Sequence, residues 1–573
     1  MPCWFAWGWK YLGTHGLPVV RFSALALGLA LLLAASKPVL ADPLHQEIDR
    51  AVEASFQQLA PLAVGANVAP QATSDAAFVR RVYLDLTGGI PSADQVRAFL
   101  KDTAGDKREK LIDELLKSED YARRMRELFN VMLIERRGAS PEWNKYLESS
   151  FAANKPWDQM AKEILAGEMG EDEALAGVDF FYTKRLENYG QNPVDYDALT
   201  RDIGRLFFGV DLQCANCHNH LFVNDYLQAD YKGLFLLTAG TFNRKDGNRT
   251  VLGEKPLDAK LKFSSVFDKV EMEIGPKVPG LEEVAIPTFA KGEEFAVPPD
   301  KTTKHPGVPK FSPRRVLAEQ AAQSENFRRN AANRLWWVVM GRGLIEPLDL
   351  SHSDNPASHP ELLELLSNEL AAHQYDIRWF VRELMLSETY QRSGQMPENV
   401  RVPAESFMVA MEKPLSAEQL ARSVMQATGN LALAEQAAEK PKEGATPPAE
   451  GAPAIPKFAE VLAKFESAFA NPPMEPEVEF KPSVKSALFL SNDMFVLCLL
   501  EPRPGNLVDR LTKIEQADSL ADELFLSVLS REPSADERSM VHDYLQRRSD
   551  NRDQALKNLA WALMASSEFC LNH

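Results

Sequence analysis

Two cysteines three apart, with a histidine directly after the second, are the residues of this chain best suited to chemistry: Cys214-Ala215-Asn216-Cys217-His218. Two thiols at that spacing match the two vinyl groups of a haem and can form thioethers with them, and the following imidazole reaches the iron from the proximal side. The motif predicts Cys214 and Cys217 as covalent haem c anchors and His218 as an axial iron ligand. The same residues admit other chemistry. Thiolate and imidazole ligands suit zinc, so Cys214 and Cys217 with His218 or His220 form an alternative metal site. A disulfide is a further reading, and its redox-active form is weakened because the surrounding pattern is helical rather than strand-turn-helix.

A distal iron ligand must come from elsewhere, since His220 is too close along the chain to reach the opposite face of the same haem. Met272, in Glu271-Met272-Glu273, is a candidate, against the ordinary use of methionine as packing. His359, in Ser358-His359-Pro360-Glu361, is a candidate general base. Its place at a helix start equally suits a structural role. Trp336-Trp337 and Arg342 fit a packed helix end followed by a glycine-bearing turn. No nucleophile elbow, phosphate loop or zinc-protease helix occurs.

Haem c is attached outside the bacterial cytoplasm, and the chain begins accordingly. Lys10 and Arg21 precede an apolar run over residues 23–35, and Val39-Leu40-Ala41 places small residues where a signal peptidase reads. A secretory signal over residues 1–41 is expected, with export to the periplasm or cell surface. The run falls short of the roughly 20 apolar residues of a spanning helix, and no later stretch could span a bilayer. Removing residues 1–41 takes Lys10, Arg21 and Lys37 from the 64 basic residues and none of the 81 acidic ones, so the net charge moves from −17 to −20. Such a chain repels nucleic acid and anionic lipid. The four remaining cysteines are too few for a disulfide framework in so long a chain, although Cys498 and Cys570 share the C-terminal region and are candidates for one bond.

The elements that must position the motif read as mainly α-helical, in two or three domains. Residues 42–239 carry helical spacing: Ser92 with Gln95 forms a capping box, and Asp106 opens a helix with Leu111, Ile112, Leu115 and Leu116 on one face. Residues 240–311 are rich in Gly and Pro, with short alternating pieces at 260–263 and 270–274, and suggest a small β-rich or irregular insertion. Helices resume at Ser312 and occupy 312–434, where Ser358 with Glu361 is expected to cap one and Trp379, Phe380, Leu384 and Met385 supply the next stripe. The Pro-, Ala- and Glu-rich stretch 435–457 reads as a disordered linker, and 458–573 as a final helical part.

The run Val82-Tyr83-Leu84-Asp85-Leu86-Thr87-Gly88-Gly89-Ile90-Pro91-Ser92-Ala93-Asp94 aligns without a gap on Leu524-Phe525-Leu526-Ser527-Val528-Leu529-Ser530-Arg531-Glu532-Pro533-Ser534-Ala535-Asp536. Each leads through two amphipathic helices to a Ser-Glu-aromatic end, Ser118-Glu119-Asp120-Tyr121 and Ser567-Glu568-Phe569, and Ser387-Glu388-Thr389-Tyr390 is a third such end. A duplicated helical module is expected.

These residues resemble a family found mostly in planctomycetes that pairs a cytochrome-like domain and a surface-associated domain, both of unknown function. The resemblance rests on residues 78–88 (FVRRVYLDLTG), on Phe207-Phe208-Gly209-Val210-Asp211-Leu212-Gln213 before the cysteines, and on Asn333-Arg334-Leu335-Trp336 with Gly341-Arg342-Gly343-Leu344. It continues through residues 355–363 (NPASHPELL), Tyr390-Gln391 and Asn572-His573. The family usually reads His-Pro-Phe after the motif, where this chain has His220-Leu221-Phe222 and no Trp before Gln228. The resemblance implies architecture and no settled activity. Three function classes follow: an exported haem c protein working with a redox partner protein, an interaction protein stapled by zinc or a disulfide, and an accessory to extracellular polymer degradation.

Overall fold

Serine and aspartate caps set most helix starts, as the sequence leads one to expect. Ser74, Ser92, Ser118, Ser140 and Asp195 each accept a backbone N–H from the first turn, and glycines in the left-handed region end several helices, Gly88 at φ 74° and Gly209 at φ 69° among them. The computed structural model describes residues 42–59, 71–168, 172–187, 193–267, 269–303, 305–395, 401–438, 455–476 and 484–573. Among them are 24 α-helices and only two-stranded antiparallel sheets. The expected secretory signal lies outside the described residues, as does most of the expected linker, 439–454. The first residues of that linker stretch belong to the helix Asn430–Ala438, whose Ala, Glu and Gln favour helix up to the first proline.

Residues from Leu44 to His573 form one compact unit holding two hydrophobic cores. The first gathers side chains from Leu44 to Phe407 together with Leu526, so the N-terminal helices and the middle region share it. The second runs from Leu415 to Phe569 and includes Leu84 and Ile90. The helix Asp75–Thr87 joins them: Phe78, Val79, Val82 and Leu86 enter the first core and Leu84 the second.

Between the N-terminal and middle helices lies the β-rich insertion. Thr241–Asp246 pairs with Arg249–Glu254, Leu261–Ser264 with Glu271–Ile274, and Phe295–Val297 with Val308–Pro309. The second hairpin matters for the motif. Its alternation leaves Leu261, Phe263, Met272 and Ile274 half-buried on one face, and it lies against the helix Gln228–Thr238.

The repeated sequence forms repeated structure. Asp75–Thr87, Ala93–Lys101, Lys107–Leu115 and Glu119–Ile134 are matched in order by Ala517–Leu529, Ala535–Arg547, Arg552–Met564 and Ser567–Cys570. Aligned positions share their local job: Gly88 and Ser530 are both left-handed C-caps, and Ser92 and Ser534 both close capping boxes, with Gln95 and Glu537. The aromatic ends need a one-residue correction. Ser118, Ser387 and Ser566 each accept the N–H of an aromatic residue three positions on and donate to a carbonyl three positions back at 2.7 Å. The serine matching Ser118 is thus Ser566, not Ser567.

Candidate functional site

The motif is presented by the end of the helix Tyr196–Phe208. Gly209 stops that helix, and Val210 forms a β-bridge with Leu350 while Ser351 donates its N–H to the Gly209 carbonyl at 2.9 Å. Asp211 then accepts the Gln213 N–H at 3.0 Å, a local turn that starts the single 3₁₀ turn Cys214–Asn216. Leu212 and Ala215 are buried and pin this turn from below, leaving both thiols exposed and free.

Polar contacts hold the turn from the other side. Gln228, buried at the start of the helix Gln228–Thr238, donates its side-chain N–H to the Asn216 carbonyl at 3.2 Å, and Lys232 reaches Asn216 Oδ1 at 2.7 Å. Asn219 caps that helix from a distance by accepting the Gln228 N–H at 2.9 Å. Val266, two residues past the first strand of the second hairpin, donates its N–H to the Cys217 carbonyl at 3.2 Å.

The two histidines differ in what they offer. His218 Nδ1 lies 2.6 Å from the Asn219 carbonyl oxygen. A carbonyl only accepts, so Nδ1 carries the proton and Nε2 keeps its lone pair, the usual state of a metal-ligating imidazole. His220 is the reverse. Its Nδ1 accepts the N–H groups of Phe222 and Val223 at 3.2 and 2.9 Å, which places the ring proton on Nε2 and leaves no lone pair for a metal. Among the described residues no three His, Cys, Asp or Glu side chains gather as a metal-holding group.

Around the turn stands apolar surface that water would ordinarily disfavour. Phe222 is 80 % exposed and Phe267, whose ring centroid lies 4.7 Å from that of His218, is 65 % exposed. Leu221, Leu227, Val266 and Val270 are exposed too, so half of the large exposed apolar side chains among the described residues fall between positions 221 and 270. A cluster of this kind marks a surface that meets something apolar.

Other candidate residues have structural places. Met272 pairs across its hairpin with Phe263 and shares the half-buried face. His359 is buried beside Phe407, with Nδ1 3.1 Å from Ser358 Oγ, and burial lowers its pKa to about 4. It stands at the N-cap of Pro360–Ala372 and makes no side-chain cap, so the expected box of Ser358 with Glu361 does not form; Pro360 at the first helical position leaves one fewer N–H to satisfy. Trp336 is buried edge-on to Phe407, and Gly341 in the left-handed region ends its helix, with Arg342 following in the turn. Cys498 and Cys570 are free thiols rather than a bonded pair, and burial pushes the Cys570 thiol up to about 11.

Sequence reasoning missed the charged lattice behind the motif. Burial alone would raise the Asp202 carboxyl, but Arg185 at 2.9 Å, Arg205 at 3.2 Å and Arg137 at 2.9 Å draw its pKa down to about 2. Arg205 also bonds Glu135 and Asp349, and Asp349 bonds Arg334. The helix that ends in the motif is therefore anchored along its inner face to both the N-terminal and middle regions. Pairs such as Asp202 with Arg137 are far apart in sequence, and no spacing announces them.

The family-resembling stretches outside the cysteine motif form joints. Arg81 donates to the carbonyls of Tyr390 and Arg392, while Arg80 donates to that of Phe569 at 2.8 Å. Asp85 accepts from Tyr390 at 2.9 Å, Lys413 at 2.6 Å and Asn572 at 2.8 Å. Asn333 accepts the N–H groups of Leu344 and Ile345 and so holds the turn after Gly341.

Two family models match, "protein of unknown function (DUF1549)", PSCyt2, over residues 47–242 and "protein of unknown function (DUF1553)", PSD1, over residues 313–545. No curated protein and no solved structure matches the chain. No helix among the described residues is long and apolar enough to cross a membrane. With the cysteine turn inside the first matched segment and its supports at Leu350 and Ser351 inside the second, the chain belongs to the planctomycete-associated family that pairs these two domains.

Proposed function

We propose that this protein is an exported haem c protein that exchanges electrons with a partner protein in the periplasm or at the cell surface. The observation carrying this reading is the combination at one turn of two exposed free thiols, an imidazole whose Nε2 lone pair is open, and a collar of exposed apolar side chains. Bound there, a haem supplies one-electron chemistry at its iron. Cys214 and Cys217 would hold the group by thioethers, and His218 would supply an imidazole to its iron, with the Asn219 carbonyl fixing the ring. Phe222, Phe267 and Val266, exposed in the structure, would cover apolar surface of the group that would otherwise face water. The negative charge of the chain sets nucleic acid and anionic lipid aside as partners and favours a protein.

Expression with haem-maturation machinery tests the reading. The mature protein is expected to stay coloured after acid and organic extraction, because thioethers survive conditions that release a merely coordinated haem. Cys214→Ala with Cys217→Ala should abolish the retained colour, and His218→Ala should keep it while shifting the spectrum and the potential. A colourless protein holding stoichiometric zinc that is lost on Cys214→Ala overturns the reading in favour of a metal-stapled interaction protein.

A further inference from the structure

Away from the cysteine turn, a cavity of about 250 Å³ lies where the helices Glu119–Ile134 and Glu325–Met340 meet the segment 412–419 and the end of Phe458–Phe469. Its lining combines apolar side chains, Leu128, Val131, Met132, Trp337, Val338 and Phe469, with charged ones. Four cations line it. Three are committed: Arg205 to Glu135 and Asp349, Arg334 to Asp349 and the Arg205 carbonyl, and Lys413 to Asp85 and the Val339 carbonyl.

Arg124 is the exception. It donates to no acceptor among the described residues, and its Nε is buried without a partner. Burial lowers its pKa, with Glu127, Glu418 and Asp85 opposing that fall through their charge. Those acids are engaged by others: Glu127 by Arg126 at 3.1 Å, Glu418 by Arg136 at 2.8 Å and Asp85 by Lys413. Arg124 is half-buried, so beyond the buried Nε its terminal N–H groups stay open to the cavity, and a guanidinium fork uncommitted to the protein is a ready partner for a ligand.

We infer that this cavity binds a small amphiphilic monocarboxylate, its carboxylate bridging the Arg124 fork and its apolar body resting on the apolar side chains of the lining. The planar fork matches a carboxylate in two-point contact. Five carboxylates line the cavity with the four cations, namely Asp85, Glu127, Glu135, Glu412 and Glu418, so a dianion such as phosphate is opposed more strongly than the single negative charge that the uncommitted Arg124 can offset. A cavity of about 150 Å³ takes benzene, so the larger volume here has room for a ring and a carboxylate.

Titration calorimetry on the full mature chain near pH 7 tests this with benzoate, benzyl alcohol and inorganic phosphate as the probes. Benzoate is expected to bind saturably, one per chain, with benzyl alcohol at least about tenfold weaker and phosphate giving no heat. Arg124→Gln should weaken benzoate by about tenfold or more, with an unchanged circular dichroism spectrum showing that the variant is folded. The proposal fails if benzoate gives no binding up to about 10 mM, a concentration that fills even a millimolar site. It fails equally if benzyl alcohol binds as well as benzoate, if phosphate alone binds, or if folded Arg124→Gln binds benzoate unchanged. Should Arg124→Gln not fold, the three probes on the unaltered protein still decide the matter. None of these readouts depends on the cysteine turn.

Discussion

The cysteine turn and the joint at Asp85 are opposite solutions to holding chemistry-capable side chains in place. At the turn, Leu212 and Ala215 are buried, backbone carbonyls are held by Gln228 and Val266, and the reactive side chains themselves bond to almost nothing. At Asp85 the side chain is the contact: one carboxylate takes donors from Tyr390, Lys413 and Asn572, which lie hundreds of residues away and belong to different parts of the fold. A site made to receive something keeps its functional atoms uncommitted on a rigid backbone. A joint spends its functional atoms on the fold.

Substitution separates the two. Asp85→Ala leaves the half-buried Lys413 with the Val339 carbonyl but no counter-charge, and Asn572 and the Tyr390 hydroxyl without their acceptor, on the helix common to both cores. The expected loss is about 3–5 kcal/mol in denaturant unfolding. Cys214→Ala with Cys217→Ala, made on the haem-free protein, should stay within about 0.5 kcal/mol of the parent, because both side chains are exposed and unbonded. Equal losses at the two places would erase the distinction.

Acid titration sharpens it, since a buried group in a joint records its burial in the pH dependence of stability. His359 has its pKa lowered by burial to about 4, from an ordinary 6.5. Between those values the unfolded chain binds a proton that the folded one refuses, so this group's contribution is fully present above pH 6.5 and shrinks as pH falls toward 4. The decline amounts to roughly 3 kcal/mol. In His359→Gln that component should vanish, so the stability gap between parent and variant narrows steadily from pH 7 to pH 4. A gap that does not change with pH would mean that the folded protein admits the charged imidazole, and the buried placement of His359 would be wrong.

The same contrast explains what the sequence made legible. The cysteine motif is contiguous, and its chemistry demands a fixed spacing, so Cys214, Cys217 and His218 could be named without a structure. The capping box at Ser92 and the short alternating pieces at 260–263 and 270–274 were readable for the same reason, being decided within a few residues, while their pairing into a hairpin was not. The tautomers of His218 and His220 were not, because each depends on which backbone groups the loop folds back toward. Nor were the Asp202 lattice, the Asp85 joint or the cavity beside Arg124, where partners meet only after distant helices pack. The missed cap at His359 has a local cause: Pro360 starts the helix one residue later than Ser358 would require.

The smallest expected effect tests the repeat itself. Read as sequence, Ser567-Glu568-Phe569 looks like the counterpart of Ser118-Glu119-Asp120-Tyr121, yet the spacing from serine to aromatic residue differs by one. In the structure the cap is Ser566, whose hydroxyl accepts from Phe569 at 3.3 Å and donates to Leu563 at 2.7 Å, as Ser118 does with Tyr121 and Leu115. The carbonyl of Phe569 is the one that Arg80 grasps, so this cap also sets the position of an inter-segment contact. Ser566→Ala should therefore cost about 1 kcal/mol, as loss of an N-cap usually does, and Ser118→Ala about the same. Ser567→Ala, lying inside the first turn and making no cap, should fall within about 0.5 kcal/mol of zero. If Ser567→Ala proves the costlier of the two, the copies are out of step by one residue and the shared serine, carbonyl and aromatic geometry at their ends is not a repeat.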